Sequence, residues 1–210
     1  MRRSHYWLVA ILVVGGGLGL LSMVGESSQR ALTILVNMAA PWALGAFIVG
    51  RLAPSPKLGA LAGGATLVVG MATFYGLTYV GDSYIRSPRQ LVWTVMALLI
   101  GPVMGMCGAV LSSGQARWRG AAIVIPSALL FAEALWIAWD RRVWAYNLRL
   151  EPHRFNDVVI LIGLIALVFA LPLLFERRLG SLLKLYLAIA AAGAVGAVGF
   201  EALQLILLRV

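Results

Sequence analysis

The sequence predicts an all-α fold, a polytopic membrane helical bundle of about seven transmembrane helices. Three observations predict it. The 210 residues are 61% hydrophobic and only 12% charged, with a mean hydropathy of +0.92. A soluble domain carries roughly 25% charged residues, so a water-soluble globule is excluded, and so is a disordered chain. The apolar residues fall into seven runs of the length that crosses a bilayer as a helix, about 20 residues. These runs do not alternate in hydrophobicity, which excludes the strands of a transmembrane barrel.

The spans are expected at residues 7–25, 31–50, 58–80, 91–111, 121–139, 158–175 and 185–208, in one integral membrane domain covering 1–210. Six spans plus an interfacial segment is the alternative. The first run follows Arg2 and Arg3, as a signal peptide would. Its apolar part is longer than the 7–15 residues of a signal core, so it reads as a retained helix. Pro54-Ser55-Pro56 and Ser87-Pro88 mark short turns. Residues 140–157 form the one long connection. Its interleaved arginines and aromatics suit an amphipathic interfacial helix or a lid.

Orientation follows arginine and lysine in the short loops. The 17 basic residues divide nine to eight between the two sides, the larger share on the side of the N-terminus. Glu26, Asp82, Asp140, Glu151 and Asp157 all fall on the other side. The expectation is a multi-pass protein of the cell membrane, its N-terminus cytoplasmic and its C-terminus outside. The net charge of +9 then reflects topology and contact with the lipid bilayer. No nucleic-acid partner is expected. Most of the tryptophans and tyrosines lie near span ends, as in an aromatic belt; Trp42 lies mid-span and does not fit.

Glycine is frequent, with 23 residues. Lipid gives no hydrophobic push between helices, so small residues supply the packing by letting backbones approach. Gly15, Gly16, Gly17 and Gly19 are expected to pack the first span, Gly59, Gly63, Gly64 and Gly70 the third, and Gly193, Gly196 and Gly199 the seventh. Gly101 and Gly105 in the fourth form a GxxxG pair. Pro41, Pro102, Pro126 and Pro172 fall inside spans, where each removes a backbone hydrogen bond and tends to kink the helix.

The intramembrane polar residues are the candidates for function. Glu133 and Glu201 lie in spans that run outward, and both sit toward the outer half. Asn37, Tyr75 and Thr78 share that half, and Gln204 follows Glu201 by three residues, on the same helical face. A carboxyl inside a span is costly and normally faces the bundle interior or water. Glu133, Glu201, Asn37, Gln204, Tyr75 and Thr78 are therefore the candidate polar cavity. A purely structural role for the two glutamates, fixing helix register, fits the same residues. Catalytic constellations are not found: there is no HExxH, G-x-S-x-G or Walker motif. Cys107 is the one cysteine, and His5 and His153 are the two histidines. No catalytic residue, metal ligand or cofactor is expected.

The stretch Asn37-Met38-Ala39-Ala40-Pro41-Trp42, with Ala46 to Pro54, Gly101-Pro102, Gly105 and Ala132-Glu133, resembles an uncharacterised family of small actinobacterial multi-span membrane proteins. That resemblance implies several spans and assigns no activity. In size and in its one-sided polarity the chain is also similar, at the level of fold, to the substrate-capturing subunits of energy-coupling-factor importers. The expected function is a small-molecule or proton-linked transport component with an outward-facing polar site, working with a partner membrane subunit or a separate ATPase. The alternative is a non-catalytic accessory subunit of a membrane complex.

Overall fold

The computed structural model of the protein describes residues 6–26, 38–80, 88–145, 155–176 and 178–208. Among the described residues the chain is helical throughout. The helices are α1 (Tyr6–Glu26), α2 (Ala39–Leu52), α3 (Pro56–Val80), α4 (Pro88–Ser113), α5 (Ala116–Asp140), α6 (Phe155–Phe175) and α7 (Leu179–Leu208), with a 3-10 turn at Val143–Ala145. Six of the seven are long and apolar enough to cross a membrane. The described part of the second span is the 14-residue α2, which reaches about 21 Å; residues 31–37 lie outside the described residues. So do Asn37, His5, His153 and the side chain of Gln204.

Several helices run past the charges that bound the apolar runs. Arg117 and Arg119 lie inside α5, and Lys184 lies inside α7. Long cationic side chains lie along apolar surface and reach for water, so the backbone need not end at the charge. Of the long connection, the described part holds only the 3-10 turn. Pro41 is the third residue of α2. In a first turn its missing N–H has no helical partner to lose, so the kink expected there has no cause. Pro102, Pro126 and Pro172 are interior to their helices.

The contacts divide the chain into two compact units, Met1–Ala122 and Ile123–Val210. In the first unit, α3 is the centre. It packs antiparallel on α4 through two glycine pairs, Gly59 and Gly63 against Gly101 and Gly105. A Cβ on Gly59 would stand 2.7 Å from the carbonyl oxygen of Gly105, and one on Gly101 would stand 2.9 Å from that of Gly63. α2 enters the same seam, with Gly50 on Gly105 and the carbonyl of Phe47 on Gly108. α1 runs parallel to α3, with Gly15 on Thr66 and Val69, and Gly19 on Gly70 and Thr73. Gly16 and Gly17 meet nothing within 4 Å, so two of the four glycines expected to pack the first span do so. One end of this bundle is solid: Ile11, Val49, Ala53 and Ala62 are buried there under Trp7, Val14, Leu58 and Val69.

In the second unit α7 packs on α5 in parallel. Gly193 meets Phe131, Gly196 meets Ala132, and the Trp136 and Phe200 rings stack with centroids 6.2 Å apart. Gly199, expected in the same role, meets nothing within 4 Å. α6 is tied to α7 by the Tyr186 hydroxyl, which donates to the carbonyl of Phe169 at 2.9 Å. At the other end of α6, Arg141 pairs with Asp157 at 3.3 Å. That ion pair joins the start of the long connection to the first turn of α6. Arg142 ends α5 at φ 49°, a left-handed conformation that glycine adopts more cheaply.

Candidate functional site

The first unit is not solid at its other end. There α1, α2, α3 and α4 leave a cavity of about 80 Å³. Each helix contributes for a local reason. The second turn of α3 from its C-terminus brings Phe74 and Tyr75 inward, beside Met71 and Leu67; the two rings meet edge to face at 5.2 Å. α4 brings Trp93, Met96, Ala97 and Ile100, at the 3–4 residue spacing of one helical face. α2 brings Met38, Ala39, Trp42 and Ala43, and α1 brings Ser22. Trp42 fits because α3 has glycine beneath it: a Cβ on Gly70 would stand 2.6 Å from Cζ3 of the indole.

The described lining is therefore four aromatic rings, three methionines, Leu67, Ile100 and three alanines, with the hydroxyls of Ser22 and Tyr75. Among the described residues no charged side chain lines it. Aromatic faces and soft, adaptable thioethers complement apolar or flat ligands. Ser22 is buried at 3% exposure, and Ser22, Trp42 and Tyr75 each make polar or ring contacts within the protein. A ligand would meet them as an already ordered wall.

Among the described residues, Tyr75 is the one expected site residue that lines this cavity. Thr78 stands one turn further on, its hydroxyl donating to the carbonyl of Phe74 at 2.7 Å, a common intrahelical bond for threonine in apolar helices. The two glutamates belong to the second unit and differ from each other. Glu133 is buried at 3% exposure and engaged by neighbouring groups. Glu201 is exposed and lines a groove with Leu135, Trp136, Trp139, Ala197, Val198, Ala202 and Leu205. Glu133 does not line that groove. Among the described residues there is no cluster of three metal-ligating side chains. Cys107 is free and buried.

The sequence pointed to polarity and passed over the aromatic cavity. One signal was present: Trp42, mid-span, fitted no interfacial belt. Trp93 counted toward the belt because it lies near a span end. Met38, Met71 and Met96 are far apart in sequence and carry no pattern until four helices assemble.

No curated protein and no solved structure matches the chain. A family model does match, over residues 2–206, nearly the whole length. The match takes in both units, the glycine seam and the cavity-lining residues. The chain belongs to the family of unknown function DUF6518.

Proposed function

We propose that the protein is the ligand-binding component of a small-molecule transport system in the cell membrane, and that the cavity of the first unit is its binding site. The observation that carries this reading is the lining: Trp42, Phe74, Tyr75 and Trp93 with three methionines, around a space of about 80 Å³. A bundle selected only for packing would close this end with small residues, as Gly59, Gly63, Gly101 and Gly105 close the seam. An apolar cavity of about 150 Å³ binds benzene; this one is roughly half that volume, and the flexible thioethers of Met38, Met71 and Met96 must adjust to admit a flat ring. The apolar character of the described lining fits a neutral ligand, or the neutral ring of a larger one, oriented by the hydroxyls of Ser22 and Tyr75.

In this reading the cavity faces the outside, the N-terminus is cytoplasmic, and a partner subunit or separate ATPase supplies the energy. The expected resemblance in size and one-sided polarity to substrate-capturing importer subunits enters this reading as an analogy. The preference for arginine fits an actinobacterial source, with Lys57 and Lys184 the only lysines among 17 basic residues.

Indole is a suitable probe, being neutral, flat and able to donate one hydrogen bond. Purified protein titrated with indole is expected to gain thermal stability saturably, as any ligand selective for the folded state requires. Ala97→Leu adds three carbons to the lining and is expected to abolish the gain while leaving the basal melting temperature within a few degrees. Equal stabilisation of the wild type and Ala97→Leu would overturn the assignment of the cavity.

A further inference from the structure

Glu201 presents a separate problem. It is an exposed carboxylate in a groove whose seven other described lining residues are all apolar. Among the described residues nothing pairs with it. Its depth follows from the α5–α7 register. Phe200 stacks on Trp136, and Trp136 precedes Asp140, the last residue of α5, by four positions. Glu201 thus lies about 5 Å below the level of Asp140 and the Arg141–Asp157 ion pair, in the zone where headgroups meet hydrocarbon. An ionised carboxyl at that depth is stabilised by a cation beside it.

The groove is shaped for more than a bare ion. It offers about 450 Å³, within the size range of small-molecule sites. Two indoles flank the carboxylate, and a cation over an indole face gains electrostatically from the ring quadrupole. Trp139 is 67% exposed, and Val198 and Leu205 expose their apolar side chains beside it, so the groove is continuous with the lipid-facing surface of the helices. Amine headgroups reach that depth from the surrounding bilayer, with their acyl chains along Val198 and Leu205.

We propose that the groove between α5 and α7 is a binding site for an amine-headed phospholipid, its ammonium on Glu201 and against the rings of Trp136 and Trp139. The proposal is independent of the cavity in the first unit. It also runs against the bulk electrostatics of the protein, whose net charge of +9 favours anionic lipid. A preference for a zwitterionic amine lipid at the tightest site therefore has a local cause.

Native mass spectrometry of the delipidated full chain in micelles, titrated with phosphatidylethanolamine or phosphatidylglycerol, tests it. The first lipid retained is expected to be phosphatidylethanolamine, one per chain, at least tenfold more tightly held than phosphatidylglycerol. Glu201→Gln is an exposed, shape-conserving change and is expected to erase that preference. Trp139→Phe, also at an exposed position, is expected to weaken retention several-fold. An equal preference in Glu201→Gln and wild type would overturn the site. Free ethanolamine competing as well as the lipid, or a lipid-free dimer as the dominant species, would overturn the assignment of a lipid as occupant.

Discussion

Gly63 of α3 and Gly105 of α4 lie so close that a Cβ on Gly63 would stand 2.7 Å from the Cα of Gly105. Neither atom belongs to a flexible side chain, so no rotamer change relieves the overlap. Backbone approach of this kind replaces the hydrophobic drive that lipid removes. Gly105 also meets Gly50 of α2, which makes it the residue on which three helices converge.

The first expectation follows from that convergence. Gly105→Ala forces α2, α3 and α4 apart and is expected to cost several kcal/mol, beyond the roughly 1–3 kcal/mol usual for overpacking. Gly76→Ala is the control, since a Cβ there meets nothing within 4 Å. Replacing glycine by alanine in an open helical position stabilises by about 0.5–1 kcal/mol. Thermal unfolding of the two variants in one detergent should move in opposite directions. Equal losses would contradict the seam.

Two buried polar side chains of α5 should respond in opposite ways. Glu133 is 3% exposed and engaged by neighbouring groups. Glu133→Ala is expected to cost about 1–3 kcal/mol, because its partners lose a buried interaction, and Glu133→Gln is expected to recover most of that. Ser127 is fully buried, and its Oγ has no hydrogen-bond partner among the described residues. Ser127→Ala removes an unsatisfied group and is expected to be neutral or stabilising by about 1 kcal/mol. Denaturation in a single detergent checks all three. A silent Glu133→Ala would show that this carboxyl does not hold its helix.

Orientation is open to labelling. Cys107 is buried, so Cys107→Ala gives a clean background. With the N-terminus inside, Asn147→Cys should react with an impermeant thiol reagent on intact cells, and Ser55→Cys should react only after lysis. The opposite pattern would invert the topology and turn the cavity toward the cytoplasm.

Much of the fold was legible in the sequence because the bilayer imposes a length and a composition on each span. The expected 58–80 and 158–175 are found as Pro56–Val80 and Phe155–Phe175. The last helix begins at Leu179, ahead of the apolar run that starts at 185, because a cationic side chain such as Lys184 does not end a helix. The Gly101–Gly105 pair was legible as a packing motif. Its partners were not, since Gly16 and Gly59 look alike in sequence and only Gly59 faces a neighbour. The aromatic cavity was illegible for a related reason. It is made by Trp42, Tyr75 and Trp93 from three helices, and no spacing within one helix encodes their meeting.

A small ligand is expected in the cavity that Trp42, Phe74, Tyr75 and Trp93 line. The most direct measurement is quenching of tryptophan fluorescence in the purified protein by a brominated indole, since the bromine acts only on rings it approaches. The account expects a saturable component with one site per chain, lost in Ala97→Leu and in Trp42→Phe, above the linear background from probe dissolved in the micelle. A purely linear response, the same in wild type and in both variants, would contradict it.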